Sequence, residues 1–198
     1  MAAPAALPPF ETPLGPQPLV GTLYSPQQVT LVLREKVFSL TGDTFTVQTA
    51  EGVNVLQVKG KVASLHSKKT FTDMSGAEIF VLAEKKLKLF KTFHAESPAG
   101  HNFDVEGHFS IGSSKSTVKF VNAADKAPIE LQVKGDWFDR KASITLGDRV
   151  VAQISRSFAN AREIFGNKQT YFVTVAASVD LSLIAALCVA IDERENEK

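Results

Sequence analysis

Lysines are densest near the middle of the sequence, where they alternate with large apolar side chains. Lys85, Lys86, Lys88 and Lys91 lie in a predicted strand that extends from Lys85 to Phe93. Lys86 and Lys88 would share one face of that strand, and Lys85 the other, because strand side chains alternate. Near a membrane surface, each such lysine contributes about 1 kcal/mol to binding of anionic headgroups. The alternative is a solvated edge protected from aggregation by lysine, which the local pattern alone favours.

A second group of lysines extends this surface if its hairpin lies beside the first. From residue 59 to residue 91 the chain carries eight lysines against Asp73, Glu78 and Glu84, a surplus that the net charge of +1 conceals. The candidate lipid-binding residues are Lys59, Lys61, Lys68, Lys69, Lys85, Lys86, Lys88 and Lys91.

Other patterns in the sequence do not predict a catalytic, metal or cofactor site. Residues 112–117 contain Lys115, but serine precedes it and a strand follows, so the pattern of a phosphate-binding loop is not met. The four histidines lack the spacing of a zinc site. His101, Asp104 and Glu106 are interpreted as loop and strand surface residues, with a polar site as the alternative. We therefore expect a protein that is not an enzyme and needs no cofactor.

Composition indicates one ordinary domain without a strong overall charge. A chain of 198 residues can bury a substantial core. The near balance of charges gives no indication of a nucleic-acid partner. Cys188 is the single cysteine and lies in an apolar run, which predicts a buried thiol and fits a reducing compartment. The N-terminus lacks the pattern of a signal peptide. We expect a cytoplasmic protein, with the membrane periphery and the nucleus as alternatives.

Short apolar runs separated by turn residues predict mainly β structure. Val29–Leu33 and Thr44–Gln48 are typical, and the second alternates with Phe45 and Val47 on one face. About a dozen such runs, with turn signals roughly every ten residues, predict an antiparallel barrel or sandwich. Trp137 is predicted to anchor a barrel end, with an exposed membrane contact as the alternative.

The run after Asp180 predicts a helix that is buried on every side. Asp180 is a favourable N-cap, and the following residues are apolar all round. The expected helix, about residues 180–193, matches the height of a β-strand and is too short for a bilayer. A span from Tyr171 to Ile191 is the alternative, but it would place Asp180 at its centre. The expected structural residues are Asp180, Leu181, Leu183, Ile184, Leu187, Cys188 and Ile191.

A barrel of about twelve strands is too wide for its own side chains to fill, and the apolar helix would solve this packing problem.

The N-terminal residues 1–26 are rich in Ala and Pro and predict an extended or disordered arm. Leu19, Val20, Leu23 and Tyr24 are expected to dock its end. We therefore expect an arm followed by one domain over residues 27–198.

Several segments together resemble the LURP-one-related family. Glu35–Val47 resembles the family's opening signature, and Val58–Leu65 is similar to its second hairpin. The similarity extends from about Val29 to Glu193 and includes Asp73–Ile79, Val173–Val175 and Val179–Glu193. Family members resemble Tubby C-terminal domains and phospholipid scramblases. This resemblance implies a closed, roughly twelve-stranded antiparallel β-barrel around a central C-terminal α-helix.

The resemblance also implies classes of function without assigning residues to them. Tubby relatives bind phosphoinositides, scramblases act on bilayer lipids, and plant LURP-one-related proteins are linked to pathogen defence. The acidic segment from Asp192 to Glu195 lacks the spaced ligands and central glycine of a calcium loop. We expect a module that binds anionic phospholipid. The alternatives are a protein-interaction scaffold in stress or defence signalling, with the arm as docking segment, and scramblase-like activity.

Overall fold

Short runs rich in β-branched and aromatic residues form the strands, and turn residues separate them. The computed structural model describes residues 6–19, 23–34, 44–60, 68–85, 90–108, 114–136, 141–155 and 170–196. Within these ranges the strands are β1 Val29–Arg34, β2 Thr44–Thr49, β3 Asn54–Gly60, β4 Lys68–Thr72, β5 Glu78–Lys85, β6 Thr92–Glu96, β7 Phe103–His108, β8 Ser114–Val121, β9 Pro128–Asp136, β10 Lys141–Leu146, β11 Arg149–Ser155 and β12 Thr170–Val175. The helix α1 spans Leu181–Asn196.

The described strands form a closed antiparallel barrel in which each strand pairs with its sequence neighbours. Closure is made by β1 and β12, which pair in continuous register from Val29 opposite Val175 to Arg34 opposite Thr170. A closed sheet has no free edge, which removes the template for edge-to-edge aggregation. The predicted fold class, a twelve-stranded barrel with a C-terminal helix, is confirmed.

The inward faces of the strands supply large apolar side chains to the core. Phe71 of β4 and Phe80 of β5 lie opposite each other, with ring centroids 4.6 Å apart. Phe103 of β7 meets Phe80 edge to face at 5.1 Å. Aromatic pairs in these arrangements contribute more than their buried area alone.

The helix α1 fills the barrel, because each residue from Leu181 to Ile191 is at most 3% exposed. Asp180 caps its first turn: the Oδ1 atom accepts hydrogen bonds from the backbone N–H groups of Ser182 at 2.9 Å and Leu183 at 3.2 Å. All the helix residues named from the sequence are buried. Burial, with a contribution from Asp192, raises the pKa of the Cys188 thiol, which suits a packing role.

Residues 6–19 of the N-terminal segment dock on the barrel through residues that the sequence analysis did not select. Phe10 and Leu14 are buried in the core, and Leu14 forms a parallel bridge with Val179. Leu23 is buried as expected, whereas Leu19 is exposed, which corrects its predicted docking role. Val20 lies outside the described residues. The short spacing from Phe10 to Leu14 gave no periodic signal, so tertiary contacts decide this segment.

Between Lys85 and Thr92 the chain reverses direction, which corrects the single strand expected from Lys85 to Phe93. Lys85 ends β5 and pairs with Thr92 of β6. Other predictions lie outside the described residues, including the run Lys36–Leu40, the run Val62–Leu65, the anchor Trp137 and the segment 157–168. Ser114–Val121 is a strand, so the residues after Lys115 do not form a helix.

Candidate anionic-ligand surface

The antiparallel order brings alternate strand ends together at one end of the barrel. The last residues of β3, β5, β7 and β9 meet the first residues of β4, β6, β8 and β10 there. The helix α1 also ends there, because the Arg194 side chain donates to the Lys115 carbonyl at 3.0 Å. We call this end the basic pole, and its defining residues are Lys59, Lys68, Lys85, Lys91, Lys115, Lys134 and Lys141.

The lysines selected from the sequence differ in their surroundings. Lys59 and Lys68 are exposed on the neighbouring strands β3 and β4, and Lys91 is half-buried before β6. Lys69 is only 5% exposed. Its Nζ lies 2.8 Å from Glu193 Oε1 at the end of α1. The remaining three candidates, Lys61, Lys86 and Lys88, lie outside the described residues.

Lys85 belongs to a charged cluster on the outer wall. Its Nζ donates to Asp104 Oδ1 at 2.6 Å, and the Nδ1 atom of His94 lies 2.9 Å from the same oxygen. Partial burial acts to raise the pKa of Asp104, but Lys85 and His94 outweigh it and hold that pKa below its usual value. Asp104 therefore pairs with His94, whereas the sequence alternative had grouped it with His101.

A further basic row, which the sequence analysis did not select, crosses β7, β8 and β9. His108 is directly opposite Lys115, and Lys115 is directly opposite Lys134. All three residues are exposed. They are distant in sequence and carry no shared local motif, so only the strand register brings them together. The row extends to Ser143 of β10, opposite Lys134.

The end of α1 is fastened to the barrel wall at the basic pole. Glu193 pairs with Lys69 of β4, and Arg194 donates to Ser116 Oγ of β8 at 2.6 Å. A side chain at Gly107 would contact the Arg194 guanidinium, so glycine gives Arg194 its path to β8. These contacts fix the strand starts that carry the neighbouring exposed lysines.

The opposite end of the barrel, which we call the arm pole, is closed by residues 10–17 packed over the start of α1. Gly15 fits beside Asp180 because a Cβ there would clash with the Asp180 side chain and lie 2.7 Å from the Tyr24 oxygen. Gln17 N donates to Asp180 Oδ2 at 3.2 Å, and the Tyr24 hydroxyl donates to the Gln17 carbonyl at 2.7 Å. These contacts join the arm directly to the helix cap.

Burial dominates the ionisation of the groups under the arm. Complete burial raises the pKa of Asp180, although its hydrogen bonds from Ser182, Leu183 and Gln17 act in the opposite direction. Burial, followed by the nearby Asp180 carboxyl, raises the pKa of Tyr24. The arm pole is therefore a buried polar network that favours uncharged forms.

The charged side chains at the surface of the arm pole are mainly acidic. Its described carboxylates are Glu11, Glu51, Asp73, Glu78, Glu96, Asp125, Glu130 and Asp148. Lys126 and Arg149 are the described cations near them. Among the described residues, carboxylates therefore predominate at the arm pole and lysines at the basic pole, which also carries Glu84 and Glu193, so charge is separated along the barrel axis.

Two properties of the described residues bear on the class of site. Within them, no cluster of three or more His, Cys, Asp or Glu side chains is arranged to hold a metal ion. No helix in the same residues combines the length and hydropathy needed to cross a bilayer.

The closed barrel, its enclosed C-terminal helix and its charged outer wall define a class of helix-filled β-barrel proteins. The family model described as "LURP-one-related" matches residues 29–192. The chain belongs to the LURP-one-related family.

Curated relatives in Arabidopsis thaliana cover most of the chain. Protein LURP-one-related 15 is 27% identical over 181 residues, covering 87% of this chain and 83% of its own. Protein LURP1 is 29% identical over 186 residues, covering 89% of each chain. An X-ray structure of an Arabidopsis thaliana protein matches with a TM-score of 0.56 and 19% identity, covering 86% of this chain and 93% of the other. This structural likeness supports the fold.

Proposed function

We propose that this protein is a non-enzymatic module that binds anionic phospholipid headgroups, including phosphoinositides, through the basic pole at a cytoplasmic membrane surface. The observation that carries the proposal is the convergence of Lys59, Lys68, Lys91, Lys115 and Lys134 at one barrel end. Basic residues near an anionic surface each contribute about 1 kcal/mol. Several together give useful affinity without a deep pocket.

The surroundings of the basic pole suit a membrane surface. Phe90 precedes Lys91 and is exposed, so an aromatic ring lies beside the cationic groups. An exposed apolar ring next to basic side chains can enter the boundary between headgroups and acyl chains, as Phe does in interfacial amphipathic helices. The carboxylates concentrated at the arm pole would face away from an anionic membrane docked at the basic pole. The charge separation therefore orients the barrel as well as attracting it.

The described charged groups fit binding better than catalysis. Lys85, Asp104 and His94 form a pair network on the open outer wall, where water has access. General acid–base chemistry relies on groups aimed at a substrate position, with pKa values adjusted to the reaction. The lowered pKa of Asp104 instead reflects a carboxylate that is held by hydrogen bonds from Lys85 and His94.

Co-sedimentation with phosphatidylcholine vesicles containing phosphatidylserine or a phosphoinositide tests the proposal. The double variant Lys59→Gln/Lys68→Gln should bind about 30-fold more weakly, because it loses two surface cations. Raising the salt concentration should weaken wild-type binding, since exposed charges are screened.

The charge-matched control is Lys119→Gln/Lys126→Gln, which removes two lysines away from the basic pole. Lys119 is paired with Glu106 on the wall, and Lys126 lies at the arm pole. This control should retain binding within about twofold of wild type, because its positions contribute little near a membrane docked at the other end. Failure of the wild type to sediment with either anionic vesicle would exclude the proposal.

A protein-interaction role is the second candidate, and exposed apolar side chains at the arm pole favour it. Leu19, Val53, Met74 and Val121 are all exposed there. A cleft of about 290 Å³ at the same pole is lined by residues that include Pro18, the chain neighbour of Leu19, and Asp73, the chain neighbour of Met74. Scattered apolar residues are common on surfaces, but a group beside a cleft is typical of a contact site.

The structure changes how this second candidate must be tested. Deleting residues 1–26 would remove Phe10 and Leu14 from the core, so the loss of a partner would be uninterpretable. Val53→Asp/Met74→Asp leaves the arm in place. A partner captured by the wild type should be lost with this variant and retained by Lys59→Gln/Lys68→Gln. The reverse pattern would assign the interaction to the basic pole.

Scramblase-like activity receives no support from the position of α1. Leu183, Ile184 and Leu187 are completely buried inside the barrel. Insertion of α1 into a bilayer would require withdrawal of these side chains from the core. We therefore leave this alternative outside the proposal.

A further inference from the structure

We propose that His108, Lys115 and Lys134 form a phosphomonoester-binding subsite on the outer wall, and that its ligand is the terminal phosphate of a lipid headgroup. This inference rests on the proposed function and specifies the headgroup class. These three residues are adjacent in the sheet and exposed.

The direct pairing of Lys115 with Lys134 is the observation that points to an anion. Side chains directly opposite in neighbouring strands lie roughly 4.5–5.5 Å apart at Cβ, and like charges in such a pair are destabilising. A bound anion between the two ammonium groups converts this repulsion into two attractions. The lysines are held in this arrangement by an eight-residue register that runs from Ser114 opposite Gly135 to Val121 opposite Pro128.

The nearest described wall carboxylates on β7 are engaged with other cations. Glu106 precedes His108 on the same outward face, but its Oε2 lies 2.8 Å from Lys119 Nζ. Asp104 accepts from Lys85 at 2.6 Å. The carboxylates of Glu106 and Asp104 therefore already have lysine partners next to the Lys115–Lys134 pair.

The other members of the row are hydrogen-bonding groups with fixed positions. His108 Nε2 lies 2.6 Å from Thr117 Oγ1, which orients the imidazole and leaves Nδ1 as the second ring nitrogen. A protonated ring can donate from Nδ1 to an anion. Ser143 adds a hydroxyl beside Lys134. The Lys115 carbonyl and the Ser116 hydroxyl are both bonded to Arg194, which fixes the start of β8.

Charge matching distinguishes a phosphomonoester from a phosphodiester. A monoester carries about −1.5 to −2 charges near neutral pH and exposes three strong acceptor oxygens. A phosphodiester carries a single negative charge, which would leave one of the two facing ammonium groups uncompensated. The row therefore favours phosphatidic acid or a phosphorylated inositol headgroup over phosphatidylserine.

Vesicle binding by the full chain tests this assignment. The probes are phosphatidylcholine vesicles containing phosphatidic acid, and vesicles containing phosphatidylserine at matched surface charge. Lys115→Gln/Lys134→Gln should weaken binding to phosphatidic acid about 30-fold. On phosphatidylserine vesicles, Lys115→Gln/Lys134→Gln should lose no more binding than the control Lys119→Gln/Lys126→Gln loses. Glycerol 3-phosphate, a soluble monoester, should compete with phosphatidic acid vesicles for wild type.

Each other outcome overturns a defined part of the inference. If wild type binds both vesicle types equally, and the Lys115 and Lys134 variant loses no more than the control, the subsite is excluded while headgroup binding stands. If neither vesicle binds, the proposed function and the subsite both fail. If the protein binds glycerol 3-phosphate but no vesicles, the phosphate that the subsite binds does not come from a lipid headgroup.

A measurement of stability shows whether weaker vesicle binding by Lys115→Gln/Lys134→Gln is caused by misfolding. Removing the facing charges should leave the urea midpoint of Lys115→Gln/Lys134→Gln equal to or above that of wild type, because the variant relieves repulsion. A lower midpoint would overturn the claim that the two lysines repel each other in the unliganded protein.

Discussion

The two poles of the barrel are built from different interactions. At the arm pole, Gly15, Gln17, Tyr24 and Asp180 form a buried network that seals the start of α1. At the basic pole, the end of α1 is tied to the wall by the Lys69–Glu193 ion pair and by Arg194. The exposed lysines around it are Lys59, Lys68, Lys115, Lys134 and Lys141. Cations at the end of a helix also complement its dipole.

This difference places a buried hydrogen-bond network at one end of the barrel axis and a group of lysines at the other. At the arm pole, Gln17 donates to Asp180 and accepts from Tyr24, so these groups are hydrogen-bonded inside the protein. Substitution there should therefore lower the free energy of unfolding. At the basic pole, Lys115 lies directly opposite Lys134, and like charges in such a cross-strand pair are destabilising. The predictions that follow test this division, from the largest expected change in unfolding free energy to the smallest.

Removing the helix cap should produce the largest loss. Asp180→Ala leaves the N–H groups of Ser182, Leu183 and Gln17 without their carboxylate acceptor inside the core. Each buried unsatisfied group costs about 1–3 kcal/mol. We expect a loss of about 4 kcal/mol in the free energy of unfolding, measured by urea titration.

Two controls sharpen this prediction. Asp180→Asn keeps an acceptor oxygen for the first turn and should cost about half as much. Asp148→Ala removes an exposed carboxylate and should change stability by less than about 0.5 kcal/mol. Equal losses for Asp180→Ala and Asp148→Ala would contradict the structural role of the arm pole.

Breaking the buried ion pair at the basic pole should have a smaller but substantial effect. Lys69→Met leaves Glu193 without its 2.8 Å partner in a nearly buried site. Such a change typically costs about 3 kcal/mol, and replacing both partners by apolar residues often restores stability. Lys69→Met/Glu193→Leu should therefore recover most of the loss in urea unfolding.

The matched control is the same substitution in an exposed pair. Lys119→Met breaks the pair with Glu106, in which both side chains are solvent-accessible, and should cost far less stability than Lys69→Met. If Lys119→Met costs as much as Lys69→Met, burial would not explain the difference between the two pairs.

Opposite pH dependences should distinguish the arm pole from the wall. Because the pKa of Asp180 is raised by folding, this group stabilises the folded state below its unfolded pKa of about 3.9. That stabilisation is lost as pH rises toward the pKa of the folded state. Because the pKa of Asp104 is lowered by folding, this group stabilises the folded state above about pH 3.9. That stabilisation is lost as pH falls through the pKa of the folded state. Solvent screening should keep the Asp104 effect below about 0.5 kcal/mol.

Urea unfolding of Asp180→Asn and Asp104→Asn between about pH 3 and 7 measures both signs. As pH rises, the free energy of unfolding of Asp180→Asn should increase relative to that of wild type. The free energy of unfolding of Asp104→Asn should decrease relative to that of wild type. Parallel slopes for the two variants would show that burial does not control Asp180 ionisation.

Much of the fold was predictable because its signals are local. Alternation in Thr44–Thr49, the cap at Asp180 and the apolar run through Ile191 each specify an element from neighbouring residues. The reversal between Lys85 and Thr92 was missed because lysine and leucine alternate there as they would in a strand. The docking of Phe10 and Leu14 was missed because their partners lie more than 160 residues away in the chain.

The amino-acid sequence by itself determined the strands, the capped apolar helix and the supply of lysines, because propensity and periodicity act over a few residues. Only the tertiary structure decided which charges meet. Strand register places Lys115 opposite Lys134, although 18 residues separate them in the chain, and the helix end turns Lys69 away from solvent toward Glu193. The physical reason is that electrostatic energy depends on distance in space and on burial, and both are set by long-range pairing and closure of the barrel.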